Sequence, residues 1–211
     1  MHIMLALDES RYAESIVQWM KLFPPPVSGR LTLVHVLEPL DLLEDPTMQS
    51  MLRRRQHAEA EDFVSRASRT LDKNYSEVRY VIVEGFPVFE MLKAIREYRP
   101  DVVVGGTRGL RGAKGLALGS VSQRLLHYAP CSVMLVPSRI RADRRFKVLL
   151  ATDGSRGAKE AARFLTLLPD LKEVTTLTTV KPLESRDVLS FGDTMKRGAR
   201  AVRAEVLRSR R

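Results

Sequence analysis

The 211-residue sequence contains one cysteine, Cys131, and one tryptophan. A lone thiol excludes an internal disulfide framework, so the chain must hold itself together by burial. No apolar run approaches the roughly 20 residues of a bilayer-spanning helix. Asp8 and Glu9 come too early for the hydrophobic region of a secretory signal. A soluble, cytoplasmic protein is the expectation. Several chemical signatures are also missing. No glycine precedes Lys-Ser or Lys-Thr at P-loop spacing, and no Gly-x-Gly-x-x-Gly follows the first strand-like run. His35 and His127 have no cysteine or carboxylate partner at ligand-like spacing, so both read as structural. Cys131 has no nearby histidine to activate it and reads as a core thiol. Ordinary P-loop NTPases, dinucleotide dehydrogenases, zinc sites and nucleophile–base hydrolases all lose support.

What is present is ordinary for a globular protein, with 44% hydrophobic and 28% charged residues. The length fits one domain plus an appendage. The net charge of +10 is uneven: residues 1–143 hold 19 Lys/Arg against 17 Asp/Glu, and residues 144–211 hold 16 against 8. Such a basic segment attracts anionic partners, or is only a solvated face. The same two readings hold for Arg53-Arg54-Arg55 and for the tail from Lys196 to Arg211. Without interleaved aromatics or a recognised reading motif, nucleic acid is the less favoured partner for both.

Short β-branched runs alternate with amphipathic stretches. The spacing predicts strands at His2–Leu7, Leu31–Leu37, Val78–Val83, Asp101–Gly105 and Ser132–Pro137. Helices are predicted at Arg11–Phe23, Met48–Lys73, Val88–Tyr98 and Ser120–Tyr128. Strands that are apolar throughout, such as Val102-Val103-Val104, suit a parallel sheet buried on both faces. Strict alternation with right-handed crossovers predicts a doubly wound, Rossmann-like α/β fold with helices on both faces.

A charged stretch at 139–145 reads as a linker between a domain at 1–138 and a basic segment at 146–211. That segment begins the pattern again. Val148-Leu-Leu-Ala-Thr-Asp-Gly-Ser lines up with Ile3-Met-Leu-Ala-Leu-Asp-Glu-Ser, and Val174–Pro182 lines up with Leu31–Pro39. The second copy offers a strand, a helix to about Leu168, a strand and a basic amphipathic stretch at Met195–Leu207. It reads as a truncated α/β repeat that needs a surface to pack on, here the first domain or a second subunit. Asp153 repeats Asp8 without a phosphate loop, so one site per chain is expected.

The most informative stretch is Gly105-Gly106-Thr107-Arg108-Gly109, then nine residues, then Gly119-Ser120-Val121. Glycines admit an anion close to the backbone, and the amides of a helix N-terminus supply donors and positive potential. The Ser120 hydroxyl adds a donor, while Arg108, Arg111 and Lys114 lie where they can supply charge. A glycine loop with Ser120 as a simple helix cap is the plainer alternative.

Gly106-x-x-Gly109, nine residues and Gly119-Ser120 resemble the ATP-binding signature of the universal stress protein family. Pro130–Pro137, Ile3–Ser10 and Leu33–Val36 are similar to that family's last, first and second strands. The resemblance implies a five-stranded sheet of order 3-2-1-4-5 and ATP as ligand. It places Asp8 on the ribose side, with Mg²⁺ as an added role, Ala6 under the adenine and Val36 at the adenine edge. Gly105 and Gly106 border ribose and phosphates, Gly109 cradles phosphate, and Gly119, Ser120 and Val121 bind the phosphate chain. Ala6 stands where some members have proline, and Gly105 where a larger apolar residue is common. From the residues alone, Asp8 also fits as the N-cap of the first helix. Family members commonly dimerise through the last strand, so a homodimer is implied. With no strong water-activating base in view, the leading reading is an ATP-binding regulator whose nucleotide occupancy changes its surface for a partner. A slow ATPase or nucleotidyl transferase, with charge stabilised by Arg108 or Lys114, and an anionic-surface binder are the alternatives.

Overall fold

The computed structural model describes residues 1–22, 29–39, 45–107, 118–137, 147–166 and 173–178. They fall into two compact units, Met1–Ala142 and Asp143–Arg211.

In the first unit, β1 (His2–Leu7), α1 (Arg11–Leu22), β2 (Arg30–Leu37), α2 (Pro46–Leu71), β3 (Glu77–Glu84), α3 (Pro87–Tyr98), β4 (Val102–Gly106), α4 (Ser120–Tyr128) and β5 (Ser132–Val136) alternate as the periodicity predicts. All pairings are parallel, in the order β3-β2-β1-β4-β5. Helix α2 starts two residues before the expected Met48. Asp45 caps it by accepting from the Thr47 and Met48 amides at 2.8 and 3.3 Å, and Pro46 stands where a helix needs no amide.

Strand alternation sorts the core. Met4, Val34 and Val103 join Met91, Ala94 and Ile95 of α3 and Leu125 of α4 in one buried cluster. Ile3, Leu5 and Leu7 are buried on the opposite face. Helices α1 and α2 pack together, as do α3 and α4. Central β1 and β4 are therefore covered on both sides, which is why they read as continuous apolar runs.

The second unit contains β6 (Lys147–Thr152), α5 (Arg156–Thr166) and β7 (Glu173–Thr178), with the two strands parallel. Val148 pairs with Val174 as Ile3 pairs with Leu31, so the register of the aligned segments is the same. Leu150 and Ala162 are buried, while Leu149 and Leu177 are exposed. The predicted linker at 139–145 and the amphipathic stretch at Met195–Leu207 lie outside the described residues.

Candidate functional site

Strands β1 and β4 pair from Ile3–Val102 to Leu5–Val104 and then part, although β1 continues to Leu7 and β4 to Gly106. Each keeps its outer neighbour: Ala6 pairs with Val34, and Gly105 with Leu135. The sheet thus splits at its carboxyl end between the two strands where the connection order reverses, the place where open α/β sheets accommodate ligands. Ala6 and Val36 both pack against the α3/α4 cluster, on the same face. Val36 lies one residue beyond the last β1–β2 pair, Leu7 with His35. A Cβ added at Gly105 would stand 3.9 Å from that of Ala6, so the walls here are small but not in collision.

Asp8 follows β1 directly, and its Oδ1 accepts from both the amide and the hydroxyl of Ser10. Ser10 Oγ in turn accepts from the Tyr12 amide at 3.2 Å, and the Ser10 carbonyl from the Ala13 amide at 3.0 Å. Ser10 is therefore the cap of α1, and Asp8 is not; the carboxylate is anchored by the cap instead. Asp153 and Ser155 repeat this turn before α5: the Ser155 amide donates to Asp153 Oδ1 at 2.9 Å, and Ser155 Oγ accepts from Ala158 at 3.2 Å. The Ser155 bonds hold the Asp153 carboxyl below its usual range.

On the other side of the split, the Gly119 amide donates to the Thr107 carbonyl at 2.8 Å, and Thr107 donates to Val136 at 3.0 Å. Gly119 was expected to offer its amide to phosphate, but the amide instead closes the neck of the glycine-rich segment. The helix offers donors from Ser120 onward, since the first amides of a helix have no intrahelical acceptor. Ser120 is exposed, whereas Val121 is half-buried against the core cluster, which leaves its amide as the functional group. Arg108, Gly109, Arg111 and Lys114 lie outside the described residues.

Ser122 has no part in the glycine signature. It is buried, and its hydroxyl donates to the Gly106 carbonyl at 2.5 Å, fastening the start of α4 to the end of β4. Its position three residues after Gly119 is the sequence signal for it. His35 is buried and donates from Nδ1 to the Leu7 carbonyl at 3.0 Å, with Phe63 edge-on to its ring. That is a bracing role. His127 is exposed beside Tyr128. Burial pushes the Cys131 thiol above its ordinary value, so it is a poor nucleophile. Among the described residues no helix is long and apolar enough to cross a membrane.

The profile of the Universal stress protein family matches residues 1–137. A universal stress protein of Thermus aquaticus, from the QAH/OAS sulfhydrylase 3′ region, is 34% identical over 136 residues, covering 64% of this chain and 96% of its own length. One from Mycolicibacterium smegmatis is 27% identical over 166 residues, covering 75% of this chain and 56% of that protein. The crystal structure of a universal stress protein from Archaeoglobus fulgidus DSM 4304 matches with a TM-score of 0.68 and 19% identity, covering 95% of this chain and 73% of that one. At that identity the likeness concerns the fold.

Proposed function

The chain belongs to the universal stress protein family, and on that footing we propose that it is an ATP-binding regulatory protein with one nucleotide site. The observation that carries this reading is the parting of β1 and β4 after Leu5–Val104, with the start of α4 tied to one lip of the opening. Small residues on the floor, Ala6 and Gly105, leave room for a flat base, with Val36 at its edge. Ser10 holds Asp8 Oδ1, and Oδ2 is the oxygen we assign to a ribose hydroxyl or to Mg²⁺. Gly106 and Gly109 would flank the phosphates, while the Ser120 and Val121 amides, the Ser120 hydroxyl and Arg108 would bind them, where the dipole of α4 favours negative charge. Bound Mg²⁺ would neutralise triphosphate charge, and no residue here is assigned a catalytic role.

In this reading residues 1–138 bind nucleotide, 139–145 link, and 146–211 form a partial basic repeat that mediates association. Nucleotide at the neck between Thr107 and Gly119 changes the surface offered to a partner protein or to a second copy joined along edge strand β5. The protein works in the cytoplasm. Calorimetric titration of nucleotide-free protein with Mg-ATP tests the site. Saturable binding lost in Gly119→Val/Ser120→Ala is expected, and absence of binding to the unaltered protein would sink the reading.

A further inference from the structure

Helix α2 runs from Pro46 to Leu71, yet its first buried residue is Ala60, followed by Val64, Ala67 and Leu71. The preceding fourteen residues are ~21 Å of helix at about 1.5 Å per residue, and they bury no side chain in the core. Helices in proteins draw most of their stability from packing an apolar face, so this half owes its place to other contacts. Two of these are polar ties to the carboxyl ends of neighbouring strands. Gln56 Nε2 donates to the Glu38 carbonyl just past β2, at 3.4 Å, and His57 Nε2 meets Glu84 Oε1 at the end of β3, at 2.5 Å.

Pro46, Gln49, Ser50, Arg53, Arg54 and His57 recur at three- and four-residue steps, hence along one side of the helix, and line a concavity of about 440 Å³. That lies within the roughly 300–1,000 Å³ of small-ligand sites. Among the described residues, five of the six lining side chains carry N–H or O–H donors, and none of the six is a carboxylate. From Ser50 to His57 the donors extend ~10 Å along the axis at about 1.5 Å per residue, more than one phosphate fills. Arg55, the third arginine of the run, is outside the lining. Two guanidinium forks in successive positions suit phosphate oxygens.

We propose that this concavity binds a small anion carrying two or more phosphates, with Arg53 and Arg54 as its charged contacts and Gln49 and Ser50 as added donors. The phosphate end of the proposed nucleotide site and this concavity are built from different elements. That end is built from β4 and α4, whereas this one is built from α2 and tied to β2 and β3.

The test is calorimetric titration of the full chain with tripolyphosphate, in four forms: unaltered, Arg53→Gln/Arg54→Gln, Arg66→Gln/Arg69→Gln on the same helix, and Gly119→Val/Ser120→Ala. Saturable binding is expected, weakened about tenfold or more by the first pair and less than about twofold by the others, a loss of the size that charge-assisted contacts carry. Mg-ATP titration of Arg53→Gln/Arg54→Gln checks that this variant is folded and that the two sites are distinct. The proposal is overturned by absence of saturable binding, by equal weakening in both arginine pairs, or by loss in the α4 variant alone. It is equally overturned if a single-stranded oligonucleotide, but not tripolyphosphate, depends on Arg53 and Arg54.

Discussion

The Gly119 amide and the Thr107 carbonyl meet at 2.8 Å, so the two ends of the glycine-rich segment are joined by backbone alone. Side chains at those positions can change without breaking the bond. The α4 start depends instead on one hydroxyl, that of Ser122, and this sets the first expectation.

Ser122→Ala removes the donor to the Gly106 carbonyl and leaves a part-buried acceptor unpaired. A loss of about 1–3 kcal/mol is expected in denaturant unfolding. Mg-ATP affinity should fall as well, because the amides of Ser120 and Val121 lose their fixed position. An unchanged affinity would separate α4 from the nucleotide site.

Ser10→Ala removes the side-chain cap of α1 and one of the two donors to Asp8 Oδ1, the hydroxyl, while the backbone amide of residue 10 stays. Cap loss of this kind costs about 0.5–2 kcal/mol. Nucleotide binding should weaken with it if Asp8 contacts the ligand. Ser155→Ala makes the matching change before α5 and is expected to leave nucleotide affinity as it was.

Gly105→Ala is expected to stabilise the protein by about 0.4–1 kcal/mol, through reduced freedom of the unfolded chain. Its new Cβ would meet that of Ala6 at 3.9 Å, an ordinary contact. A thermal melt shows the gain as a rise in Tm; a fall would mean that the split in the sheet tolerates no added methyl.

Burial, and then the guanidiniums of Arg30 and Arg79, hold the His2 imidazole below its ordinary 6.5. Its Nε2 lies 2.9 Å from Thr32 Oγ1, which also accepts from Arg79 Nε at 2.9 Å, an arrangement that suits a neutral ring. The unfolded chain therefore takes up a proton at a pH where the folded chain does not. This contribution to stability is fully present above about pH 6.5 and is lost as pH falls through the lower folded value. Denaturant midpoints measured from pH 8 to 5 should decline below about 6.5, and His2→Gln should flatten that part of the decline.

Much of this protein is written in local pattern. The switch between short apolar runs and helical spacing marks the strands and helices of the first unit, because a strand buried on both faces reads as a continuous run and a helix buries one stripe. The repeat of Ile3–Ser10 at Val148–Ser155 carries the pairing register and the Asp-x-Ser turn with it; the turn follows from nearest neighbours along the chain, and the register from the matching strand residues of the two copies. The glycine signature marks the two ends that the Thr107–Gly119 bond joins. What the sequence alone left open depends on contacts between distant residues. Asp8 also reads as a cap until Ser10 is seen to hold both the helix and the carboxylate. The Gly119 amide reads as open until Thr107 is brought beside it, and Ser122 reads as one more helical serine until it meets Gly106. Where β1 leaves β4, and which side of α2 faces the concavity, are settled by packing, which selects among partners that no local periodicity distinguishes.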